Sequence, residues 1–306
     1  MGQKALMAES QLAAGWRAEL QEILRGAAGG FLFGIPLLYT VEVWSIGSSV
    51  SPLLLLGVLG VTFAVVLLLT QIEGFRRTLE LHPLEAVMES IEALGIGLAC
   101  AAFALVLLQR ITLETPLSEM LGKLIFEGVP FSLGVALAQS ILNRDRLRDR
   151  NRRQVVRPTN SLLALPRRLS PPILRNLRDT LIDLDAALLG ALLIAFSIAP
   201  TEEVALLAAS IPPLWLIAIM AASLVLSYVI VFVSGFRDRA QGNNGVVLSP
   251  LTETLVAYLV ALLASTIMLV FFQQLSFADP WQEWLSDTIV LGLPAAIGGT
   301  AGRLLI

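Results

Sequence analysis

The sequence predicts an all-α, polytopic membrane protein: eight transmembrane helices built as two parallel four-helix repeats. Three observations carry that prediction. Apolar stretches of membrane-spanning length recur along a chain that is 56% hydrophobic and 15% charged, where soluble domains average about 25% charged; its mean hydropathy is +0.78. Most Lys and Arg are confined to one set of loops, on the linker's side. Short polar motifs of the first half return, in the same order, in the second.

Residues 1–25 come first. Leu12, Trp16, Leu20 and Leu24 recur at every fourth position with Arg17, Glu19 and Glu22 between them. That spacing gives an amphipathic helix lying on the inner membrane surface, or a plain extension of the first span. Met1 to Gly15 does not read as a secretory signal, because no apolar core precedes a cleavage site. The first repeat, residues 26–142, holds spans expected at about 27–44, 52–72, 86–108 and 117–142. The second, residues 181–306, holds spans at about 184–199, 211–233, 254–272 and 284–305.

Between the repeats lies a basic linker, residues 143–180. Arg144, Arg146, Arg148, Arg150, Arg152 and Arg153 follow one another closely. Such a run cannot enter hydrocarbon, and the positive-inside bias holds it on the cytoplasmic face. These arginines are candidate contacts for anionic lipid head groups; the interleaved Asp145 and Asp149 argue against nucleic acid. Pro158, Pro166, Pro171 and Pro172 predict an extended path, with room for a short helix near Ile173–Leu177.

The same bias orients the rest. Lys4, Arg17, Arg25, Arg76, Arg77, Arg237, Arg239 and Arg303 fall on the linker's side, and Arg110 and Lys123 are the exceptions. Both termini are then cytoplasmic, in a cell's inner (plasma) membrane. Trp44, Trp281 and Trp284 sit at the opposite boundary, as interfacial aromatics do.

The internal repeat is the most informative feature. Thr40-Val41-Glu42-Val43 pairs with Thr201-Glu202-Glu203-Val204 at an offset of 161 (201 − 40). The same offset pairs Pro52-Leu53 with Pro213-Leu214, and Gly74-Phe75-Arg76 with Gly235-Phe236-Arg237. An offset of 164 (253 − 89) pairs Glu89-Ser90 with Glu253-Thr254, Gln109 with Gln273, and Gly128-Val129-Pro130 with Gly292-Leu293-Pro294. Four spans per copy make the repeats parallel, about an axis along the membrane normal.

An ionisable residue in a span is expensive and marks a candidate function. Glu42 and Glu203, with Thr40 and Thr201 beside them, are expected at the outer ends of spans one and five. Glu89 and Glu253 are expected near the inner ends of spans three and seven. Paired carboxylates with hydroxyl neighbours suit hard cations or protons; the alternative is that these acids merely terminate helices in interfacial water. Glu127 lies about ten residues, near 15 Å, into span four. Its repeat counterpart is Leu291, so its role is asymmetric; a structural pair with Lys123 at i−4 is the alternative. Pro130 and Pro294 are candidate helix breaks, of the kind that frees carbonyls at ion sites or simply kinks a membrane helix.

Other chemistries are poorly served. A single cysteine, Cys100, and a single histidine, His82, exclude an intramolecular disulfide and a histidine-based zinc site. No Walker loop, Gly-x-Ser-x-Gly elbow, His-Glu-x-x-His or Cys-x-x-Cys occurs, so neither an enzyme nor a cofactor is expected.

The run Gly30-Phe31-Leu32-Phe33-Gly34-Ile35-Pro36-Leu37-Leu38-Tyr39-Thr40-Val41-Glu42-Val43-Trp44, with the Gly-Leu-Pro of span eight, resembles a family of bacterial multi-span integral membrane proteins of unknown function. The resemblance implies the membrane class and no activity. The function expected from the residues is a cation transporter or channel using intramembrane carboxylates near the pseudo-two-fold axis. The alternative is a non-transporting scaffold or sensor acting through the basic linker. Membrane lipids, and cations or protons, are the expected partners, and a homo-oligomer is compatible with either function.

Overall fold

A computed structural model describes residues 2–76, 83–155, 172–233 and 250–304. Among them all regular structure is helical. The chain runs through α1 (Gly2–Leu38), α2 (Val41–Ser49), α3 (Pro52–Arg76), α4 (Pro83–Leu107) and α5 (Leu117–Val155). It continues through α6 (Pro172–Ile198), α7 (Glu203–Ser210), α8 (Pro213–Tyr228), a π-helical turn (Val229–Val233), α9 (Pro250–Phe271) and α10 (Trp281–Leu304). The expected motifs at Gly235-Phe236-Arg237, Arg239 and Pro158–Pro171 lie outside the described residues, as do the side chains of Arg144 to Arg153.

Among the described residues, five helices are long and apolar enough to cross a membrane, and two bent pairs raise the number to seven. The sequence predicts eight. The difference is α10, whose glycines, Asp287 and Arg303 make it less apolar. It is nonetheless enclosed by protein, with every residue from Ile289 to Thr300 buried.

Two expected spans are sharply bent. The α1–α2 pair turns by 89° and the α6–α7 pair by 91°. Pro200 accounts for the second bend, since the residue before a proline is pushed out of helical geometry and α6 stops at Ile198. At the first bend Thr40 is extended (φ −89°, ψ 105°) and Pro36 lies in the last turn of α1. The carbonyls exposed by each bend are satisfied locally: Trp44 Nε1 donates to Leu38 O at 2.9 Å, and Thr201 Oγ1 to Ile198 O at 2.6 Å.

Helices α4 and α9 end identically. Gln109 (φ 56°) and Gln273 (φ 59°) adopt the left-handed conformation, and the next N–H groups return to the preceding turn: Arg110 N to Leu105 O at 2.8 Å, Gln274 N to Leu269 O at 2.9 Å. This is the Schellman ending, which usually recruits glycine.

In each half one helix forms the centre. Helix α5 packs against α1, α2, α3 and α4, and α10 against α6, α7, α8 and α9. Close approach of α1 to α5 requires glycine: a Cβ on Gly29 would meet the Gly134 carbonyl at 2.5 Å and collide with Ala138. Gly190 and Gly298 make the matching approach of α6 to α10. The halves meet through α1, which touches α10 and the π-helical turn, and through Trp215 Nε1, which donates to Leu107 O at 2.7 Å. Helix α5 runs on past the expected span end at Leu142 to Val155, and α6 begins at Pro172, ahead of the expected 184.

Candidate functional site

Helix α5 sets the position of Glu127. Its neighbour one turn on, Phe131, packs where Gly34 and Gly30 leave room on α1, and Val135 packs against Gly30 and Gly26. Rising numbers on α1 meet falling numbers on α5, so the two helices are antiparallel. Glu127 shares the Phe131 face and is fully buried. Neither carboxylate oxygen has a hydrogen-bond partner among the described residues.

Lys123 does not supply one. Its ammonium pairs with Glu119 at 2.6 Å and donates to Arg110 O at 3.0 Å, so the alternative of a structural Lys123–Glu127 pair gives way to the Glu119–Lys123 pair. An ionised carboxylate without a partner in such a place costs several kcal/mol. A proton or a cation at Glu127 would remove that cost. Pro130, three residues on, lacks the N–H that would bond Phe126 O, leaving that carbonyl without its helical donor beside Glu127.

The second proline shows what such a carbonyl does. Pro294 frees Val290 O, and the Tyr39 hydroxyl, at the end of α1, donates to it at 2.5 Å. The expected breaks at Pro130 and Pro294 are thus local: both prolines sit inside continuous helices, each removing one backbone hydrogen bond.

The duplicated acids differ between the halves. Glu42 is exposed. Glu203 opens α7, is half-buried, and has a buried Oε2 without a hydrogen-bond partner. Among the described residues no hydrogen bond joins Glu42 to Glu203. Thr201 spends its hydroxyl on Ile198 O, and Thr40 precedes α2 without capping it through its side chain. At the other end Glu253 forms an ion pair with Arg303, which is 8% exposed and lies 6.0 Å over the Phe232 ring; Glu89 is exposed. The neighbouring hydroxyls turn inward to their own helices: Ser90 to Ala86 O at 2.6 Å and Thr254 to Pro250 O at 2.9 Å. No group of three or more His, Cys, Asp or Glu is placed to hold a metal among the described residues.

Other polar residues were not legible as a group. Tyr39, Ser223, Ser227 and Tyr258 are all buried; the signal available for Tyr39 was the carbonyl four residues before Pro294. Arg110, outside the spans, lies 4.9 Å over the Trp44 ring and bonds the Ser210 hydroxyl across the halves. Burial lowers its pKa from the usual arginine value.

Residues 22–306 match the family described as "Putative integral membrane protein (DUF2391)". No curated protein and no solved structure matches the chain.

Proposed function

We propose, on the premise that the chain belongs to this family of integral membrane proteins, that it moves small cations or protons across its membrane by way of Glu127. The observation that carries this reading is a fully buried carboxylate with no hydrogen-bond partner for either oxygen among the described residues. Natural cores rarely keep such a group unless its charge state changes in use.

The architecture proposed with it has eight spans in two parallel repeats, with α10 as the eighth. The paired bends of 89° and 91°, the left-handed glutamines and the glycine crossings support the duplication. Both termini then face the cytoplasm in the inner membrane, with the arginines of residues 143–153 against anionic lipid.

Flux into proteoliposomes tests the reading, with Ca²⁺, Mg²⁺, Na⁺, K⁺ and H⁺ offered in turn. The parent should conduct one of them and Glu127→Gln should not. Flux that survives Glu127→Gln but fails in Glu42→Gln/Glu203→Gln would move the route to the α2 and α7 ends. A second reading, a scaffold or sensor acting through the basic linker and performing no catalysis, is favoured by the unbroken burial along α10 and the exposure of Glu42 and Glu89. Folded protein that passes no ion would select it.

A further inference from the structure

Among the described residues the contact between the halves runs one way. The first half offers the ends of α1 and α4; the second receives them on α10 and at the start of α8. Tyr39 donates to Val290 O at 2.5 Å, and Trp215 Nε1 to Leu107 O at 2.7 Å. A two-fold arrangement would repeat both contacts with the halves exchanged. The repeat equivalents are Pro200 with Phe126 (39 + 161, 290 − 164) and Leu54 with Phe271 (215 − 161, 107 + 164). Pro200, Leu54 and Phe271 are exposed. A contact that is not returned leaves one free face of each kind.

Burial traces both faces. Ala28 and Ile35 share the stripe of α1 that leads to Tyr39, and both are buried. Their equivalents on α6, Leu189 and Phe196, are exposed: Ile35 at 0% answers to Phe196 at 56%. With Leu193 and Pro200 they form one exposed stripe of α6. At the end of the fourth helix of each half, Leu107 is 6% exposed and Phe271 67%. On the receiving side α10 is buried from Ile289 to Thr300, whereas Phe126, Val129, Pro130 and Leu133 of α5 are only half-buried. A surface meant for lipid in both halves behaves differently, since the equivalent residues Leu53 and Leu214 are exposed alike.

The free faces also fit each other in kind. Each internal contact sets one aromatic residue against one smaller one: Tyr39 on Val290, and Trp215 on Leu107. In each unmet pair the aromatic stands on the opposite side, Phe126 facing the position of Pro200 and Phe271 that of Leu54. Such an exchange keeps the volume at a contact nearly constant, which packing rewards and a fluid lipid surface does not require. Parallel repeats also present the same orientation to a neighbour in the same bilayer, so the internal contact can be made again between chains.

We propose that the α6 stripe of one copy, with Phe271, docks on the α5 stripe and Leu54 of a second copy of this chain, so that two chains close a ring of four halves. The proposal rests on the two-repeat architecture above and not on transport. In such a ring every half gives one face and receives one, and none is left over. Inside a bilayer the close fit of side chains, rather than exclusion of water, holds the faces together. The docked copy then lies beside the turn of α5 that carries Glu127.

The test uses the full chain in membranes, with Cys100→Ala as background and a short bis-maleimide as cross-linker. Leu54→Cys with Phe271→Cys should join two chains, seen as a dimer on a denaturing gel. Trp215→Cys with Leu107→Cys, the internal equivalent, should be linked within one chain, seen as a joined peptide from the monomer band by mass spectrometry. In vesicles, energy transfer between labelled copies should need about tenfold more protein per lipid for Phe196→Ala/Phe271→Ala than for the parent, whereas Leu214→Ala should match it. These substitutions lie on exposed positions, so the folded fraction by size exclusion should stay at the parent level. An internal link without a dimer from Leu54 and Phe271 overturns the docking and leaves the two-half architecture standing. A Leu54–Phe271 link inside one chain overturns it as well, since the faces then close on each other. Loss of both links refutes the internal contact and the docking inferred from it. Energy transfer that is unchanged in Phe196→Ala/Phe271→Ala overturns the assignment of the α6 face.

Discussion

Replacing Tyr39 with Phe should cost about 1 kcal/mol of folding free energy in the parent and measurably less when Pro294 is also Ala. Pro294 has no N–H, so Val290 O loses its helical donor and takes the Tyr39 hydroxyl instead, at 2.5 Å. Val290 is fully buried, and no solvent reaches the carbonyl once the hydroxyl is gone. A buried acceptor left bare costs about 1–3 kcal/mol in soluble proteins; hydrogen bonds inside membrane proteins average about 0.6 and reach about 1.7 kcal/mol. The overlap of these ranges sets the expected cost. Alanine at 294 restores the N–H, which can close the helical bond to Val290 O, so the carbonyl no longer depends on Tyr39. The measurable quantity is the coupling energy of the cycle formed by the parent, the two single variants and the double variant, expected at about 0.5–1 kcal/mol. Reversible unfolding by SDS in mixed micelles, followed by far-UV circular dichroism, supplies the four stabilities. If Tyr39→Phe costs the same within about 0.3 kcal/mol in both backgrounds, the carbonyl freed by Pro294 is not what Tyr39 stabilises.

Three further outcomes follow from the packing. Glu127→Leu, which installs the residue found at 291, should stabilise the protein by about 1–3 kcal/mol in the same SDS titration by removing an unpartnered buried group, while abolishing flux. Gly29→Val should shift the protein out of its folded size-exclusion peak, because its side chain would enter α5, whereas Gly57→Val, with nothing within 4 Å of its Cβ, should elute as the parent does. Arg303→Ala should cost about 3 kcal/mol by leaving Glu253 without the cation it pairs with; Glu253→Gln combined with Arg303→Gln should cost less, and equal costs would show that the ion pair is not the source.

Much of the fold is legible because hydropathy measures what membranes select. The starts of α3, α5, α8 and α10 fall within a few residues of the expected span starts. What hydropathy misses is direction. Val41, Val43 and Trp44 continue the apolar run around Glu42, so an unbroken first span is the natural prediction, yet the chain turns by 89° there. Only Pro200 announced the matching turn. The pairing of Gln109 with Gln273 reads as a coincidence of letters until both are seen at positive φ, a conformation that costs a glutamine side chain more than a glycine. The site was half legible. Depth in a span singled out Glu127, but sequence spacing alone could not decide whether Lys123 paired with it or with Glu119, since both are four residues away.

The differences between the halves carry more functional information than their likeness. In the two-repeat reading Glu127 and Leu291 are equivalent, as are Phe126 and Val290, the residues four before each proline. A duplicated structural feature needs no change in either copy, as the glycine crossings at Gly29–Gly134 and Gly190–Gly298 illustrate. At the level of the prolines the copies diverge. The second half covers its freed carbonyl with Tyr39, borrowed from the first half across the interface, and fills the Glu127 position with a fully buried leucine. The first half keeps the carboxylate, and Pro200, the residue at the repeat position of Tyr39 (200 − 161 = 39), has no hydroxyl with which to cover the Phe126 carbonyl. At this level the second half has covered its freed carbonyl and carries no carboxylate, while the first retains a charge-capable pair of oxygens that make no hydrogen bond among the described residues. Structural selection alone would favour settling both, because an unpartnered carboxylate is destabilising wherever it does nothing. Its retention in one copy is why the search for function belongs at Glu127 rather than at the symmetric pairs Glu42/Glu203 and Glu89/Glu253.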